Sequence, residues 1–285
     1  MRVAVLGTGT MGRGMAQSLK RDGLDVTAWN RSIDKALPLA DDGIDVRESV
    51  EDAVSDADVV LTMLFDADAV LQTVEPVLGN FPESAIWVQS STVGIDGIRK
   101  IDELAARRGV TLIDAPVLGT KDPAAKGELV VLASGAAAAQ DKVQPVLDAI
   151  GKKTLWLGET VGAASALKLA GNAWVLTLTA AVGQSLALAK SLGVDPATFL
   201  EAISGGPLDS PYAQLKGKAM LTGNLDPQFA VDNAAKDLGL IVAAADGSGV
   251  DAQVLQAVLA MYRLTSTAGS GGDDIAAVYT AFAAG

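Results

Sequence analysis

The sequence predicts an α/β domain with a doubly wound parallel sheet, followed by an all-helical domain. Short apolar runs rich in β-branched residues alternate with helical patterns in the first half of the 285 residues. A turn with three glycines follows directly on the first of these runs, at residues 7–12. After Gly158 the strand patterns end, and the remaining chain is rich in Ala and Leu. Buried strands separated by helices are typical of a parallel sheet with both faces covered.

Apolar periodicity in the first half predicts seven strands and four helices. The strands are expected at residues 2–7, 25–30, 58–64, 85–91, 111–116, 129–135 and 153–158. The helices, whose apolar residues recur at three- and four-residue spacing, are expected at residues 11–23, 49–57, 66–78 and 95–109.

The second half predicts five helices. They are expected at about residues 162–191, 195–203, 211–221, 228–246 and 250–268. We place a domain boundary near residue 160, which gives domains 1–160 and 161–285, with the first of these helices as a long interdomain link.

Residues 170–190 are apolar and long enough to invite a membrane interpretation. However, Asn172 and Gln184 interrupt this stretch, and no second span accompanies it. We therefore expect a helix buried in the protein interior and no membrane association. The N-terminus leads directly into a strand without the pattern of a leader peptide, so we expect a cytoplasmic protein.

Charge and composition exclude several classes of function. The chain has 22 basic and 34 acidic residues, a net charge of −12, which disfavours nucleic acid and acidic membrane surfaces as partners. It has no cysteine and no histidine, so we expect no disulfide, no thiolate nucleophile and no metal site. Acid–base chemistry must therefore use Lys, Asp, Glu or Tyr.

A G-x-G-x-x-G motif connects the first strand to the first helix, and its residues are Gly7, Thr8, Gly9, Thr10, Met11 and Gly12. In that context the motif predicts a Rossmann-type dinucleotide-binding domain. Gly7 permits the tight turn, Gly9 lets the backbone approach a pyrophosphate, and Gly12 lets helix and strand pack closely. The alternative is a glycine turn in an α/β protein that binds no nucleotide.

The end of the second strand predicts the cofactor. NAD-binding domains normally have Asp or Glu there, where it meets the ribose 2′-hydroxyl, but this chain has Asn30, Arg31 and Ser32. A guanidinium pairs with a 2′-phosphate, and two short polar side chains can hydrogen-bond to it. We therefore expect NADP(H) rather than NAD(H). The alternative is that Arg31 is only a solvated surface residue.

Lys168 and Asn172 lie in an otherwise apolar helical segment, four residues apart and therefore on the same helix face. A nicotinamide cofactor supplies a hydride but no proton, so carbonyl reduction also requires a proton donor near the developing alkoxide. The ammonium group of Lys168 can stabilise the oxyanion and donate this proton, and Asn172 can orient it. A lysine at a helix edge is the alternative interpretation.

Four segments in order resemble the β-hydroxyacid dehydrogenase family. They are the glycine loop GTGTMG, the segment DAPVLGTKDPAAKGEL from Asp114, the segment GAASALKLAGN from Gly162 and the segment KDLGL from Lys236. In the third segment the family's second glycine is replaced by Ala164. The resemblance covers most of the chain, and the second segment is most similar to the glyoxylate and succinic semialdehyde reductase branch.

The resemblance implies roles for residues that spacing alone leaves open. Lys168 and Asn172 would be catalytic and contact the substrate, and Thr92 would contact cofactor or substrate near the reacting centre. Met63 and Leu64 would form an apolar wall against the cofactor. Lys236 would contact the cofactor, with Asp237 fixing that region. The implied substrate-binding residues of the second segment are Leu118, Gly119 and Thr120.

Leu118 departs from the family pattern, which has serine at this position. A leucine side chain donates no hydrogen bond to a substrate carboxylate. Thr120, Lys121 and the backbone N–H groups of this turn are the groups that can substitute.

The leading hypothesis is an NADPH-dependent reductase of a small aldehyde or keto acid, with glyoxylate, succinic semialdehyde or the 3-hydroxyisobutyrate type as substrate. An imine reductase, or a reductase of uncharged carbonyls, is the alternative, although imine reductases of the family usually lack the lysine. A second alternative is a non-enzymatic NADP-binding sensor. The apolar C-terminal half also predicts a homodimer.

Overall fold

The computed structural model describes residues 1–282. The chain forms two compact units, Met1–Lys168 and Leu169–Gly285, which we call the N-terminal and the C-terminal unit. The division lies inside the long helix Ala163–Ser191, whereas the sequence pattern placed the boundary before this helix, near residue 160.

A nine-stranded sheet forms the centre of the N-terminal unit, in the order β3-β2-β1-β4-β5-β6-β8-β7, with β9 paired to β8. The strands are β1 (Arg2–Leu6), β2 (Asp25–Trp29), β3 (Asp45–Val46), β4 (Val59–Thr62), β5 (Ile86–Gln89), β6 (Thr111–Asp114), β7 (Val117–Leu118), β8 (Leu129–Gly135) and β9 (Gly151–Trp156). Strands β1 to β6 are parallel, while β8 runs antiparallel to β6 and β7. The strand order reverses between β1 and β4, which is where doubly wound sheets bind ligands.

Helices cover both faces of this sheet. They are α1 (Thr10–Arg21), α2 (Val50–Val54), α3 (Ala67–Val74), α4 (Gly94–Arg107), α5 (Lys121–Lys126) and α6 (Ala137–Ile150), and α7 (Ala163–Ser191) begins in the same unit. One apolar core contains Met15 of α1 and Leu147 of α6, and a second core contains Val70 of α3 and Ile101 of α4. The predicted doubly wound sheet is therefore confirmed.

The seven predicted strands are all present, but the sequence pattern missed two strands and two helices. Strands β3 and β7 have two residues each, too few for a visible alternation. Helix α6 begins in a run of alanines and contains Pro145, so its sequence has the appearance of a simple segment interrupted by a helix breaker. The sheet was expected to be parallel, and the antiparallel pairing of β8 corrects that expectation for its far end.

The C-terminal unit is helical, as predicted. After the remainder of α7 it contains α8 (Pro196–Ile203), α9 (Pro211–Thr222), α10 (Val231–Ser248), α11 (Gln253–Thr265) and α12 (Tyr279–Phe282). Two helix starts have the same local cause: Asp195 and Ser210 accept hydrogen bonds from the first turns of α8 and α9, and each is followed by proline. The segment Ile275–Phe282, which the sequence pattern did not predict as helical, packs into the core through residues such as Ile275.

Helix α7 is long and apolar enough, by length and composition alone, to cross a bilayer. Of its most apolar 18-residue window, 44% is buried. Leu176 and Leu186 lie in the core of the C-terminal unit, but Trp174 is 67% exposed and Leu188 is 57% exposed. The helix is therefore buried along one side only, whereas a fully enclosed helix was expected.

Candidate active site

The residues expected to bind a cofactor follow neighbouring strands at one edge of the sheet. The glycine loop follows β1, Asn30 follows β2, the pair Met63 and Leu64 follows β4, and Thr92 follows β5. These strands are parallel, and Leu6 is in register with both Trp29 and Thr62. The fold of the N-terminal unit thus brings together four segments that lie far apart in the sequence.

The glycine loop packs too closely for side chains at two positions. Gly7 has a φ of +102°, and a Cβ atom there would lie 2.3 Å from the carbonyl oxygen of Met63. A Cβ on Gly12 would lie 1.9 Å from the carbonyl oxygen of Gly7. The backbone of Met63 therefore packs directly against the loop.

The start of α1 has the properties of an anion-binding site. Gly9, the N-cap residue directly before the helix, provides no side-chain cap, and the first turn contains no acidic residue. A Cβ on Gly9 would meet no protein atom within 4 Å, so the space in front of this backbone is open. Free N–H groups and the positive end of the helix dipole favour a phosphate there. The residues present therefore fit the pyrophosphate of a dinucleotide.

Asn30 has a structural contact that the sequence pattern did not reveal. Its Oδ1 accepts a hydrogen bond of 3.0 Å from the backbone N–H of Thr8, and its Nδ2 donates to the carbonyl oxygen of Ser32 at 3.0 Å. The side chain thereby ties the end of β2 to the glycine loop. Arg31 and Ser32 are exposed, and Arg31 makes no hydrogen bond or ion pair with residues 1–282.

A buried polar network fixes the two segments that contain Leu64 and Thr92. The Ser91 hydroxyl accepts a hydrogen bond from the Leu64 N–H at 2.8 Å. Gln89 holds Ser91 in turn, because its Oε1 accepts from the Ser91 N–H and its Nε2 donates to the Ser91 carbonyl. The sequence analysis missed this network, although a glutamine in a fully buried strand is the signal that indicates one.

Asp114 connects the second family segment to the helix that contains Lys168. Its Oδ2 accepts hydrogen bonds from the backbone N–H groups of Gly162 (3.1 Å) and Ser165 (2.8 Å), and its Oδ1 accepts from the Ser165 hydroxyl (2.8 Å). On the neighbouring strand, the Ser134 hydroxyl accepts from the N–H of Ala164 at 3.1 Å. Burial raises the pKa of the Asp114 carboxyl to about 6, although the hydrogen bonds from Ser165, Gly162 and Ser134 act in the opposite direction.

The turn after Asp114 contains the expected substrate residues. Leu118 is half-buried at the end of β7, Gly119 is exposed, and Thr120 is half-buried at the start of α5. Gly119 has a φ of +137°, and a Cβ atom there would lie 2.6 Å from Leu129 Cδ2, so the turn requires glycine.

Lys168 is only 9% exposed on α7. One helical turn further along, in the C-terminal unit, Asn172 is 3% exposed and its Nδ2 donates a 2.7 Å hydrogen bond to Asp237 Oδ2. Lys236 Nζ forms an ion pair with Asp237 Oδ1 at 2.8 Å. The third and fourth family segments therefore meet at Asp237, which holds both Asn172 and Lys236.

Two family models together match nearly the whole chain. The model described as the NAD binding domain of 6-phosphogluconate dehydrogenase matches residues 2–158. The model described as the NAD-binding domain of NADP-dependent 3-hydroxyisobutyrate dehydrogenase matches residues 162–282. The chain belongs to the β-hydroxyacid dehydrogenase family. It is thus an oxidoreductase of the NAD(P)-dependent dehydrogenases and reductases that act on CH–OH groups.

Full-length relatives of this family differ in the substrate that their names give. Glyoxylate/succinic semialdehyde reductase 1 of Arabidopsis thaliana is 31% identical, over 99% of this chain and 98% of the relative. L-threonate dehydrogenase of Cupriavidus necator is 32% identical, over 98% of this chain and 95% of the relative. The crystal structure of 3-hydroxyisobutyrate dehydrogenase from Salmonella typhimurium has a TM-score of 0.90 at 26% identity and covers 98% and 99% of the two chains.

Proposed function

We propose that this β-hydroxyacid dehydrogenase reduces a small aldehyde or keto acid to the hydroxyacid, with NADPH as the hydride donor. The observation that carries the proposal is the nearly buried Lys168, in a chain without histidine. Without histidine, proton transfer in this chain must use Lys, Asp, Glu or Tyr, and Lys168 is the lysine of the third family segment. When bound, the reduced nicotinamide supplies the hydride for the carbonyl carbon.

Lys168 has the role of general acid in this proposal. Its Nζ stabilises the negative charge that develops on the carbonyl oxygen and then transfers one proton to it, which completes the hydroxyl group. Asn172 is the second polar group of the proposed site, and its bond to Asp237 fixes which way its amide is turned. Thr92, Gly119 and Thr120 are the proposed substrate contacts, together with the side chain of Leu118.

The proposed preference for NADP(H), which carries a 2′-phosphate, is based on the residues that follow β2. Arg31 is exposed and makes no ion pair with residues 1–282, and no carboxylate occupies the three positions after β2. A guanidinium there pairs with a phosphate, whereas the acid found in NAD-dependent domains repels it. The glycine loop, Met63, Leu64 and Lys236 are the other proposed cofactor contacts.

We also propose a homodimer that forms through the C-terminal unit. Trp174 and Leu188 of α7 are more than half exposed, and so are Leu192 and Leu208 in the following segments. Exposed apolar side chains concentrated in one unit are typical of a subunit interface. Light scattering that gives the mass of two chains supports this proposal, and a stable monomer contradicts it.

The test is NADPH consumption by the wild type and by Lys168→Met. Methionine keeps the length of the side chain and removes the ammonium group. The panel comprises glyoxylate, succinic semialdehyde, methylmalonate semialdehyde, uncharged aldehydes and a cyclic imine. We expect activity on the carboxylated aldehydes and a loss of kcat in the variant of at least about 100-fold. Equal activity of the two proteins, at equal NADPH affinity, would contradict the role of Lys168.

The same panel tests the substrate class with Leu118→Ser, which restores the hydroxyl group of the family pattern. If wild-type activity is confined to uncharged carbonyls or the imine, Leu118 excludes the carboxylate and the proposed substrate class is wrong. If the carboxylated aldehydes are reduced, Leu118→Ser should lower their KM and leave kcat nearly unchanged, because the added bond is uniform binding.

A further inference from the structure

One buried acidic group of the N-terminal unit has no part in the reaction proposed above. Asp114 is 0% exposed at the end of β6. Its hydrogen-bond partners are the neutral groups of Gly162, Ser165 and Ser134. A buried carboxylate without a cation is costly, and burial raises the pKa of Asp114 to about 6. The structural reason for a carboxylate at this buried position therefore lies in the donors from which it accepts hydrogen bonds.

Two of the partners of Asp114, Gly162 and Ser165, lie at the start of α7. The first N–H groups of a helix lack intrahelical acceptors and need other partners. Here Asp114 accepts from Gly162 and Ser165, while Ser134 accepts from Ala164. Asp114 and Ser134 lie opposite each other in the antiparallel pair of β6 and β8. Two adjacent strands of the sheet thus accept hydrogen bonds from three N–H groups at the helix start, those of Gly162, Ala164 and Ser165.

The held turn lies directly before Lys168. Ser165 precedes Lys168 by three residues, a rise of about 4.5 Å along a helix. A helix fixed at Ser165, in rotation as well as along its axis, leaves little freedom to the backbone of Lys168. The Ser165 hydroxyl helps to fix the rotation of the helix about its axis. Its hydrogen bond of 2.8 Å to Asp114 Oδ1 requires the Ser165 side of the helix to face Asp114.

We propose that Asp114 is a positioning residue for Lys168. Its carboxylate docks the first turn of α7 onto β6 and β8 and thereby sets where the lysine side chain leaves the helix. This proposal rests on the proposed role of Lys168 as the acid. Because a misplacement of about 1 Å can cost about 100-fold in rate, the docking has a direct effect on kcat.

The kinetic test compares Asp114→Ala, Asp114→Asn and Ser165→Ala. Alanine removes all acceptors, whereas the asparagine Oδ1 still accepts from both N–H groups and its Nδ2 can donate to the Ser165 hydroxyl. We expect Asp114→Ala to lower kcat by about 30- to 100-fold while KM and the NADPH dissociation constant change by less than about three-fold. Asp114→Asn should retain at least about a third of kcat, and Ser165→Ala should lose about three- to ten-fold.

Two measurements on the cofactor-free protein separate this proposal from the role of Lys168. The first is hydrogen exchange of residues 162–166, which should accelerate at least about ten-fold in Asp114→Ala. The second is the rate at which an amine-reactive anhydride labels Lys168, measured by mass spectrometry. This labelling rate should change in Asp114→Ala and remain near the wild-type rate in Asp114→Asn. Neither measurement depends on catalysis, so both remain informative if Lys168→Met keeps its activity.

The matched control is Ser49→Ala. The Ser49 hydroxyl caps another helix of the same unit, α2, by accepting a hydrogen bond from the Asp52 N–H, and alanine removes this cap. It should lower stability by about 1 kcal/mol and leave kcat unchanged. Wild-type kcat in Asp114→Ala, or a loss in Asp114→Asn as large as in Asp114→Ala, would overturn the positioning role. If Asp114→Ala does not fold, Ser165→Ala decides: unchanged kcat together with unchanged labelling of Lys168 overturns the proposal.

Discussion

Replacement of Asp114 by asparagine should change how the stability of the protein depends on pH. Burial raises the pKa of this carboxyl from 3.8 to about 6 in the folded protein. Between these two values the folded state retains a proton that the unfolded chain has lost, so this group contributes less stability as pH rises. Above pH 6 the folded protein contains the buried carboxylate at a cost of about 3 kcal/mol, from two pKa units at 1.36 kcal/mol each.

Asparagine removes this titration and preserves the acceptor for Gly162 and Ser165. Between pH 5 and pH 8, linkage gives a change of about 1 kcal/mol in the difference of unfolding free energy between variant and wild type. As pH rises, the unfolding free energy of the variant increases relative to that of the wild type. All other groups titrate equally in both proteins and cancel in the difference.

Urea unfolding followed by tryptophan fluorescence at the two pH values measures this change, with m-values compared to establish that the transitions are equivalent. A difference in unfolding free energy that is the same at pH 5 and pH 8 would refute the reasoning, because it would show that Asp114 does not titrate in this interval. The same constant difference is expected if the hydrogen bonds outweigh burial and lower the pKa below 3.8, because both states are then deprotonated throughout this interval.

Three other substitutions test separate parts of the structure. Gly12→Ala places a Cβ atom 1.9 Å from the Gly7 carbonyl oxygen and should weaken NADPH binding at least about ten-fold, as measured by fluorescence titration. The control is Gly79→Ala, where the added atom meets nothing within 4 Å, and it should leave NADPH binding unchanged. Asn30→Asp keeps an acceptor for the Thr8 N–H but adds a negative charge, so the ratio of kcat/KM for NADPH over NADH should fall at least about ten-fold; an unchanged ratio would count against the assigned phosphate site. Lys216 forms a buried ion pair of 2.6 Å with Asp274, and Lys216→Met leaves the Asp274 carboxylate buried without its cation. This should lower the unfolding free energy by about 3–5 kcal/mol, and Asp274→Asn in the double variant should restore part of the loss.

The fold was predictable to the extent that each element contains its own signal. The strands of the N-terminal unit are nearly continuous apolar runs, and helices α8, α9 and α10 of the C-terminal unit have capping residues, prolines or glycines at their ends. Helix α6 escaped prediction because it begins in a run of alanines and contains Pro145, a helix breaker, on its exposed side. The segment Ile275–Val278 is stabilised by burial in the core of the C-terminal unit, and sequence periodicity does not report burial of so short a segment.

In the candidate site, the sequence predicts those residues whose type alone indicates their structural role. The glycines of the loop are required by backbone approach, and the sequence shows this directly. The functions of Asn30, Gln89 and Asp114 depend on partners 22, 2 and 51 residues away, respectively, and the partner in each case is a backbone group. Every residue has such groups, so no sequence pattern indicates which of them a side chain will meet.

The contacts of Asp114 also bear on how this family can change substrate without losing its reaction. The docking of α7 uses the Asp114 carboxylate, the Ser134 and Ser165 hydroxyl groups and backbone N–H groups of the helix start. None of these contacts involves the side chain of residue 118, four residues further along the segment. Leucine at this position therefore alters the proposed surface for the substrate while the supports of the Lys168 helix remain unchanged. If Asp114 positions the acid and Leu118 selects the substrate, as proposed, the two properties can vary independently within one segment.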